Sequence, residues 1–163
     1  MKAFIKGFGY AAQGIWYGIL HERNVRFHIS LFGYMLFFLL RYDFFTVSRT
    51  QFAILLMMSS LVIGGELINT GIEKAADAAT LERNPYVKIA KDAAAGGVLV
   101  LAVFAIAVGV LILYQPAAFE KLFAYYLQHP LYIAVLLLTL AADAALILTD
   151  PQKLIQKIRG KRT

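Results

Sequence analysis

Four runs of apolar residues alternate with charged stretches along this 163-residue chain. The runs cover residues 27–40, 52–65, 93–114 and 131–149. A helix needs roughly 20 apolar residues to cross a bilayer, so the last two runs are long enough by themselves. The first two reach that length only if their helices continue into the polar residues beside them, with long side chains reaching back to the headgroups. The pattern therefore predicts four membrane-spanning helices.

The composition agrees with this pattern. Apolar residues make up 60% of the chain and charged residues only 16%, whereas about a quarter of the residues in a soluble domain are charged. We therefore expect an all-α integral membrane protein. The absence of cysteine excludes disulfides, zinc–thiolate sites and thiol nucleophiles.

Residues 1–25 lack the apolar core and the cleavage site of a signal peptide. Phe4, Phe8, Ile15 and Ile19 recur at helical spacing, with Lys2 and Lys6 off that stripe. This pattern predicts an amphipathic helix at the membrane surface. A helix packed on the bundle is the open alternative.

The basic residues concentrate in three regions that four spans would place on one side of the membrane. These are the N-terminal Lys2, Lys6, Arg23 and Arg26, then Lys74, Arg83, Lys88 and Lys91 after the second run, and finally Lys153, Lys157, Arg159, Lys161 and Arg162 in the tail. They account for 13 of the 16 lysines and arginines. The positive-inside rule makes that side cytoplasmic, with both termini on it. This topology explains the net charge of +6 without a nucleic-acid partner.

A stripe of polar residues follows the second apolar run. Its members are Glu66, Asn69, Thr70, Glu73 and Asp77, which all lie on one face if the helix continues. A solvated helix end is the ordinary alternative. Acidic groups are nevertheless disfavoured next to anionic lipid, and carboxylates at the membrane boundary are functional candidates.

The spacing of this stripe suits phosphoryl transfer. A partly desolvated carboxylate at position 66 is a better proton acceptor near neutral pH than one in water. Asn69, one turn away, can orient a hydroxyl or a phosphate oxygen. Glu73 can hold Mg²⁺, which takes one or two protein carboxylates and completes its shell with water and phosphate. The predicted reaction moves a phosphoryl group from a soluble nucleotide to a hydroxyl presented at the membrane surface.

Two further clusters lie on the same predicted face of the membrane. The first contains Glu22 just before the first span, which can supply a second metal carboxylate. The second is the pair Lys91 and Asp92, in which the lysine can neutralise phosphate charge. Each cluster alone also fits a purely structural role. The first would anchor the chain at the membrane boundary, and the second would be a charged pair at the start of a helix. No GxxxxGK[ST] loop is present, and residues 7–14 do not fit GxGxxG.

The motif formed by these residues resembles a known signature. Residues 66–77 read ELINTGIEKAAD, which is similar to the ExxN[ST]xIExxxD signature of the small bacterial diacylglycerol kinase family, a family that includes undecaprenol kinases. Gly71 stands where the family usually has alanine. The resemblance extends to Glu22-Arg23-Asn24-x-Arg26-x-His28 and to Ala90-Lys91-Asp92, and it covers residues 1 to about 114.

The resemblance implies a compact membrane kinase, typically a homotrimer with three spans and a surface helix per protomer and with active sites shared between subunits. It implies that MgATP phosphorylates a lipid hydroxyl at the bacterial cytoplasmic membrane. Carried over to this sequence, it implies Glu66 as the general base, Glu22 and Glu73 as metal ligands, and Tyr10, Asn69, Glu73, Lys91 and Asp92 as nucleotide-binding residues.

The chain also departs from the family pattern. Residues 1–114 would form the kinase-like membrane domain, and residues 115–163 would add a fourth span and a basic cytoplasmic tail. Asp143 within that span is expected to bond to a neighbouring helix or to lie near a polar gap. The form of the motif around Glu22 favours undecaprenol over diacylglycerol as substrate. A noncatalytic membrane assembly protein derived from the same family is the alternative.

Overall fold

The computed structural model describes residues 2–80 and 84–149, and within those ranges every regular element is an α-helix. The six helices are α1 (Lys2–His21), α2 (Arg23–Arg41), α3 (Arg49–Ala79), α4 (Pro85–Leu113), α5 (Pro116–Gln128) and α6 (Pro130–Leu148). The all-α prediction is confirmed for this part of the chain. The predicted basic tail and Arg83 lie outside the described residues.

Helices α3 and α4 form the central pair of the fold. Helix α3 begins with a capping box in which Ser48 and Gln51 bond each other's backbone and side chain. Helix α4 begins at Asn84, whose side chain accepts hydrogen bonds from the first turn. Their contacts show an antiparallel pair, because Gly65 packs against Leu101 whereas position 77, farther along α3, meets position 91, earlier in α4.

The prediction that the second helix continues through the polar stripe is confirmed. Helix α3 runs for 31 residues without a break, so residues 66 to 77 share one helix with the apolar run before them. Its length exceeds what is needed to cross a bilayer by several turns. The stripe therefore occupies the C-terminal half of the helix, directly after the apolar run of residues 52–65.

Helix α1 is shorter than the predicted surface helix. It ends at His21, and Glu22 adopts an extended conformation before α2 begins at Arg23. Residues 23–25 thus belong to α2. Helix α1 meets α3 at Gly18, where any larger side chain would overlap Leu67, while its residues from 4 to 17 are exposed.

Three helices are long and apolar enough to cross a membrane, namely α3, α4 and α6. They correspond to the second, third and fourth predicted spans. Helix α2, which carries arginines at positions 23, 26 and 41, is not among them. The apolar-run pattern did not predict α5, which connects α4 to α6.

Helix α6 is fastened to α2 by two polar contacts. Ser30 Oγ donates to Asp143 Oδ1 at 2.7 Å, which confirms the expectation that Asp143 bonds to a neighbouring helix. The Arg26 guanidinium donates to the carbonyls of Ile147 and Thr149 at 3.1 Å. It also donates to the carbonyls of Ile19 and Leu20 at 3.2 Å, so one side chain joins the C-terminal ends of α1 and α6.

Candidate functional site

Glu66 is the most enclosed carboxylate of the stripe. Its side chain points from α3 towards α2, and only 5% of the residue is exposed. His28 Nε2 lies 3.6 Å from Glu66 Oε1, and the Asn24 side chain, one turn earlier on α2, interacts with the same carboxylate. Two residues of the predicted N-terminal cluster therefore meet the predicted base directly.

The next turns of α3 carry an amide and a second carboxylate. Asn69 Nδ2 donates to Glu73 Oε1 at 3.0 Å, which holds both side chains on the same face as Glu66. The amide oxygen of Asn69 is buried and has no hydrogen-bond partner among the described residues. A buried acceptor without a partner is unfavourable, so this oxygen is available to a ligand that brings a donor or a cation.

Glu22 is brought to the same place by the break between α1 and α2. Its carboxylate and that of Glu73 both interact electrostatically with Glu66. Lys74 Nζ lies 3.9 Å from Glu22 Oε1 and offsets part of this negative charge. The three glutamates thus form one acidic group near the α1–α2 junction.

This acidic group fits a hard divalent cation. Mg²⁺ prefers carboxylate and carbonyl oxygens and usually keeps several ligand positions for water and phosphate. Glu22, Glu73 and the unpaired amide oxygen of Asn69 provide such donors. Within residues 2–80 and 84–149, no group of three or more His, Cys, Asp or Glu side chains is arranged so that it could hold a metal ion by itself. The donors would therefore suit a cation that arrives with a phosphate.

The upper end of the stripe is closed by an ion pair between the central helices. Lys91 Nζ on α4 donates to Asp77 Oδ1 on α3. Asp92, the next residue, is exposed and pairs with Lys88 at 3.2 Å, one turn earlier on the same helix. Both predicted nucleotide-binding residues of α4 therefore lie on the same end of the fold as the acidic group.

The stripe forms a column along α3. Eleven residues separate Glu66 from Asp77, which corresponds to about 16 Å along the helix axis. The enclosed carboxylate lies at the bottom of this column, the amide and Glu73 lie in the middle, and the Asp77–Lys91 pair lies at the top. The polar groups along the column therefore differ with depth, from a buried carboxylate at Glu66 to an ion pair at Asp77.

Tyr10 lies apart from this column in the single chain. Tyr10 is 69% exposed. It lies about 12 Å along the axis of α1 from Gly18, the residue at which α1 contacts α3. Among the described residues, no hydrogen bond, ion pair or ring contact links Tyr10 to the stripe.

An apolar pocket opens beneath Glu66. It has a volume of about 350 Å³ and lies between α2, α3 and α4. His28 lines its upper end, together with Val62, which lies one turn below Glu66 on α3. His28 therefore connects the two features, because it contacts the Glu66 carboxylate and also lines the apolar pocket, which Glu66 itself does not line.

Sequence reasoning did not find three of these relationships. The contact between His28 and Glu66, the pairing of Lys74 with Glu22 and the burial of Thr70, which is 7% exposed, all depend on how α2 sits against α3. Only the spacing of Asn24 and His28, four positions apart on α2, gave a signal for the first of them.

Comparison with known proteins places these residues in a wider group. Residues 9–113 match the model of a family described as "Prokaryotic diacylglycerol kinase". The chain is 36% identical over 114 residues to the undecaprenol kinase of Bacillus subtilis (strain 168), a match that covers 69% of this chain and 89% of that protein. It is 34% identical over 110 residues to the diacylglycerol kinase of Synechocystis sp., which covers 67% of this chain and 61% of that protein. No solved structure matches the chain.

Proposed function

This chain belongs to the prokaryotic diacylglycerol kinase family, a family of lipid kinases, and from that premise we propose that it transfers the γ-phosphate of MgATP to the hydroxyl of a membrane lipid. The observation that carries the proposal is the burial of Glu66 beside His28, a residue that also lines the apolar pocket. A lipid whose chain enters that pocket would present its hydroxyl to the one carboxylate that is shielded from water.

Glu66 is the proposed general base. A base must lie within hydrogen-bond reach of the hydroxyl whose proton it accepts. His28 Nε2 lies 3.6 Å from one carboxylate oxygen on the α2 side, and the other oxygen is the one proposed to face the substrate. Transfer of the proton to Glu66 lets the lipid oxygen attack the γ-phosphorus of ATP, and the bond from that phosphorus to the β,γ-bridging oxygen breaks as ADP leaves.

Glu22 and Glu73 are the proposed metal ligands, and the Asn69 amide oxygen is a further donor. Mg²⁺, when bound, would supply positive charge that neutralises the phosphate oxygens. The hydrogen bond from Asn69 Nδ2 fixes one oxygen of Glu73, so its second oxygen is the one directed to the cation. Lys74 limits the repulsion between the glutamates when no cation is bound.

Lys91, Asp92 and Asn69 are the proposed contacts of the nucleotide phosphates and sugar. Lys91 is held at the top of the column by Asp77, and its ammonium can exchange part of that contact for a phosphate oxygen. Asp77 therefore acts in the proposal as a positioning residue for Lys91. The distance of about 16 Å between the two ends of the column is long enough for a triphosphate to lie along it.

The assembly and the topology are also part of the proposal. We take the protein to be an inner-membrane homotrimer with four spans, in which α2 is the first and both termini face the cytoplasm. Residues 1–114 form the kinase-like domain and residues 115–163 the extension. Helix α1 would lie at the membrane surface, since its exposed residues include Phe4, Phe8 and Trp16. In a trimer with shared sites, the exposed Tyr10 would reach the nucleotide of its own or of a neighbouring protomer.

Undecaprenol is the proposed substrate in preference to diacylglycerol. The support is the sequence around Glu22, Glu-Arg-Asn-x-Arg-x-His, and the coverage of nine-tenths of the Bacillus subtilis undecaprenol kinase. The two relatives are almost equally similar to this chain in identity, so a direct comparison of the two lipids is needed.

The test is transfer of label from γ-labelled ATP in mixed micelles that contain Mg²⁺ and either undecaprenol or diacylglycerol. We expect faster labelling of undecaprenol, and a loss of about 10²- to 10⁴-fold in the Glu66→Gln variant. Glu120→Gln, which changes an exposed carboxylate on α5, is the matched control and should keep full activity. Transfer to neither lipid would support the noncatalytic alternative, and an active Glu66→Gln variant would reject Glu66 as the base.

A further inference from the structure

A second and larger groove lies on the opposite side of α2 from Glu66. It has a volume of about 700 Å³, within the range of ~300–1,000 Å³ that is usual for ligand sites. Its walls are α2 and α6, and α6 contributes apolar side chains such as Val135 and Leu136. Helix α6 contacts α2, yet none of its residues is buried within the described part of the chain.

The groove has two different ends. At the end near the candidate site, Ser30 Oγ donates to Asp143 Oδ1 at 2.7 Å. At the other end lie Arg41, Tyr42 and Tyr126. Eleven residues of α2 separate Ser30 from Arg41, or about 16 Å, which is roughly half of the ~30 Å hydrocarbon thickness of a bilayer.

Arg41 gives the far end a positive charge without a partner. Within the described residues no carboxylate forms an ion pair with it. Its guanidinium instead lies over the Tyr42 ring, 5.3 Å from the ring centre. Tyr42 is itself fixed by a hydrogen bond of 3.0 Å between its hydroxyl and that of Tyr126. The cation is therefore held in place beside the groove, with donors left for a phosphate.

We propose that this groove binds one anionic phospholipid of the leaflet opposite the candidate site, with its phosphate at Arg41 and one acyl chain between α2 and α6. An apolar groove between membrane helices loses contacts if it stays empty, and the hydrocarbon that surrounds it has the right chemistry to fill it. The unpaired guanidinium at its mouth selects a lipid with negative charge. The bound lipid would stabilise the position of α6 against α2, where the polar contacts among the described residues are Ser30–Asp143 and the hydrogen bonds of Arg26.

The test is native mass spectrometry of the delipidated full chain after addition of phosphatidylglycerol or phosphatidylcholine. We expect retention of phosphatidylglycerol at about tenfold lower lipid concentration than phosphatidylcholine, and a loss of most of that preference in Arg41→Gln. Arg49→Gln is the matched control, because Arg49 begins α3 and does not line the groove; it should behave like the wild type. Equal retention by the wild type and Arg41→Gln would overturn the proposal.

A second variant tests the groove itself. Gly33 lines it, and a side chain added there meets no atom within 4 Å, so Gly33→Leu should fill the groove and keep the helix. We expect Gly33→Leu to lower the retention of both lipids. If this variant does not fold, Thr139→Phe replaces it, because that side chain fills the same space from α6. Unchanged phosphatidylglycerol retention in the folded variant would contradict the proposal. Two other results would also contradict the proposal. If the variant changes the mass of the oligomer but not the amount of bound lipid, the groove binds another copy of the chain. If undecaprenol displaces phosphatidylglycerol, the groove does not select an anionic phospholipid.

Discussion

Lys91 on α4 hydrogen-bonds to Asp77 on α3, and this contact joins the two central helices at the top of the polar column. The pair is partly exposed, with 32% of the Lys91 side chain and 61% of the Asp77 side chain accessible. Exposed ion pairs stabilise a fold by only about 0–1 kcal/mol. The contact therefore contributes little to the stability of the fold, and its main effect is to hold the Lys91 side chain in place.

If Asp77 acts through Lys91, the two residues should not behave independently. We expect Lys91→Met to raise the KM for ATP about tenfold and Asp77→Asn to raise it about threefold, a loss of roughly 1.4 and 0.6 kcal/mol of binding. In the Lys91→Met background, Asp77→Asn should have no further effect. The measurement is KM for ATP in all four proteins, and Lys88→Met, which breaks the neighbouring pair with Asp92, is the control. Additive effects of the two changes would contradict the positioning role.

His28 should affect turnover more than nucleotide binding. Its ring lies 3.6 Å from Glu66. Without that ring, the Glu66 carboxylate would be less constrained in the orientation that faces the lipid hydroxyl. We expect His28→Ala to lower kcat by about 10- to 100-fold, in the range expected when a support of a catalytic group is removed, with little change in the KM for ATP.

The control for this prediction is His21→Ala, since the His21 ring bonds to the backbone of its own helix at Tyr17 and stacks on that residue. That variant should keep most of the wild-type kcat. A rise in the KM for ATP without a change in kcat for His28→Ala would instead place this histidine at the nucleotide.

The contact between Ser30 and Asp143 should stabilise the attachment of α6. Hydrogen bonds between helices in membranes contribute on average about 0.6 kcal/mol and at most about 1.7 kcal/mol. We expect Ser30→Ala and Asp143→Ala each to lower the free energy of unfolding in a detergent–denaturant titration by about 1 kcal/mol, and the double variant to lose no more than the larger single effect. Thr139→Ala is the control, because that hydroxyl bonds to its own helix at Leu136.

The Tyr42–Tyr126 contact should make the stability of the fold sensitive to alkaline pH. Burial, followed by the hydrogen bond from Tyr42, raises the pKa of Tyr126 from 10.0 to about 12. Between pH 10 and pH 12 the unfolded chain has released this proton whereas the folded chain keeps it. Stability should therefore fall as the pH rises through that window.

Tyr126→Phe should weaken this pH dependence, because the titrating hydroxyl is gone. The measurement is thermal unfolding between pH 9 and pH 12, with Tyr114→Phe, an exposed tyrosine, as the control. The same slope in wild type and Tyr126→Phe would show that another group causes the loss.

The sequence pattern predicted the parts of this fold that depend on neighbours along one helix. The spacing of Glu66, Asn69 and Glu73 placed them on one face because they share α3. The break at Glu22 was not predicted, since neither proline nor glycine marks it. Helix α5 was also missed, because its residues mix apolar and polar side chains and form no long apolar run.

The pattern of apolar and polar residues did not predict the contacts between different helices. The pairing of Asp77 with Lys91 depends on the register between α3 and α4, which begin 36 positions apart along the chain. The bond between Ser30 and Asp143 joins residues 113 positions apart. The role of Asp77 became interpretable only when its partner on α4 was known.

The extension attaches where it does not disturb the candidate site. Helix α6 packs on α2 and α5, whereas the closest packing in the fold is between α3 and α4. Most residues that are proposed to handle the nucleotide lie on that central pair. A helix added on the far side of α2 could thus be gained or lost in evolution as a separate unit, without new selection on the residues that are proposed to handle the nucleotide.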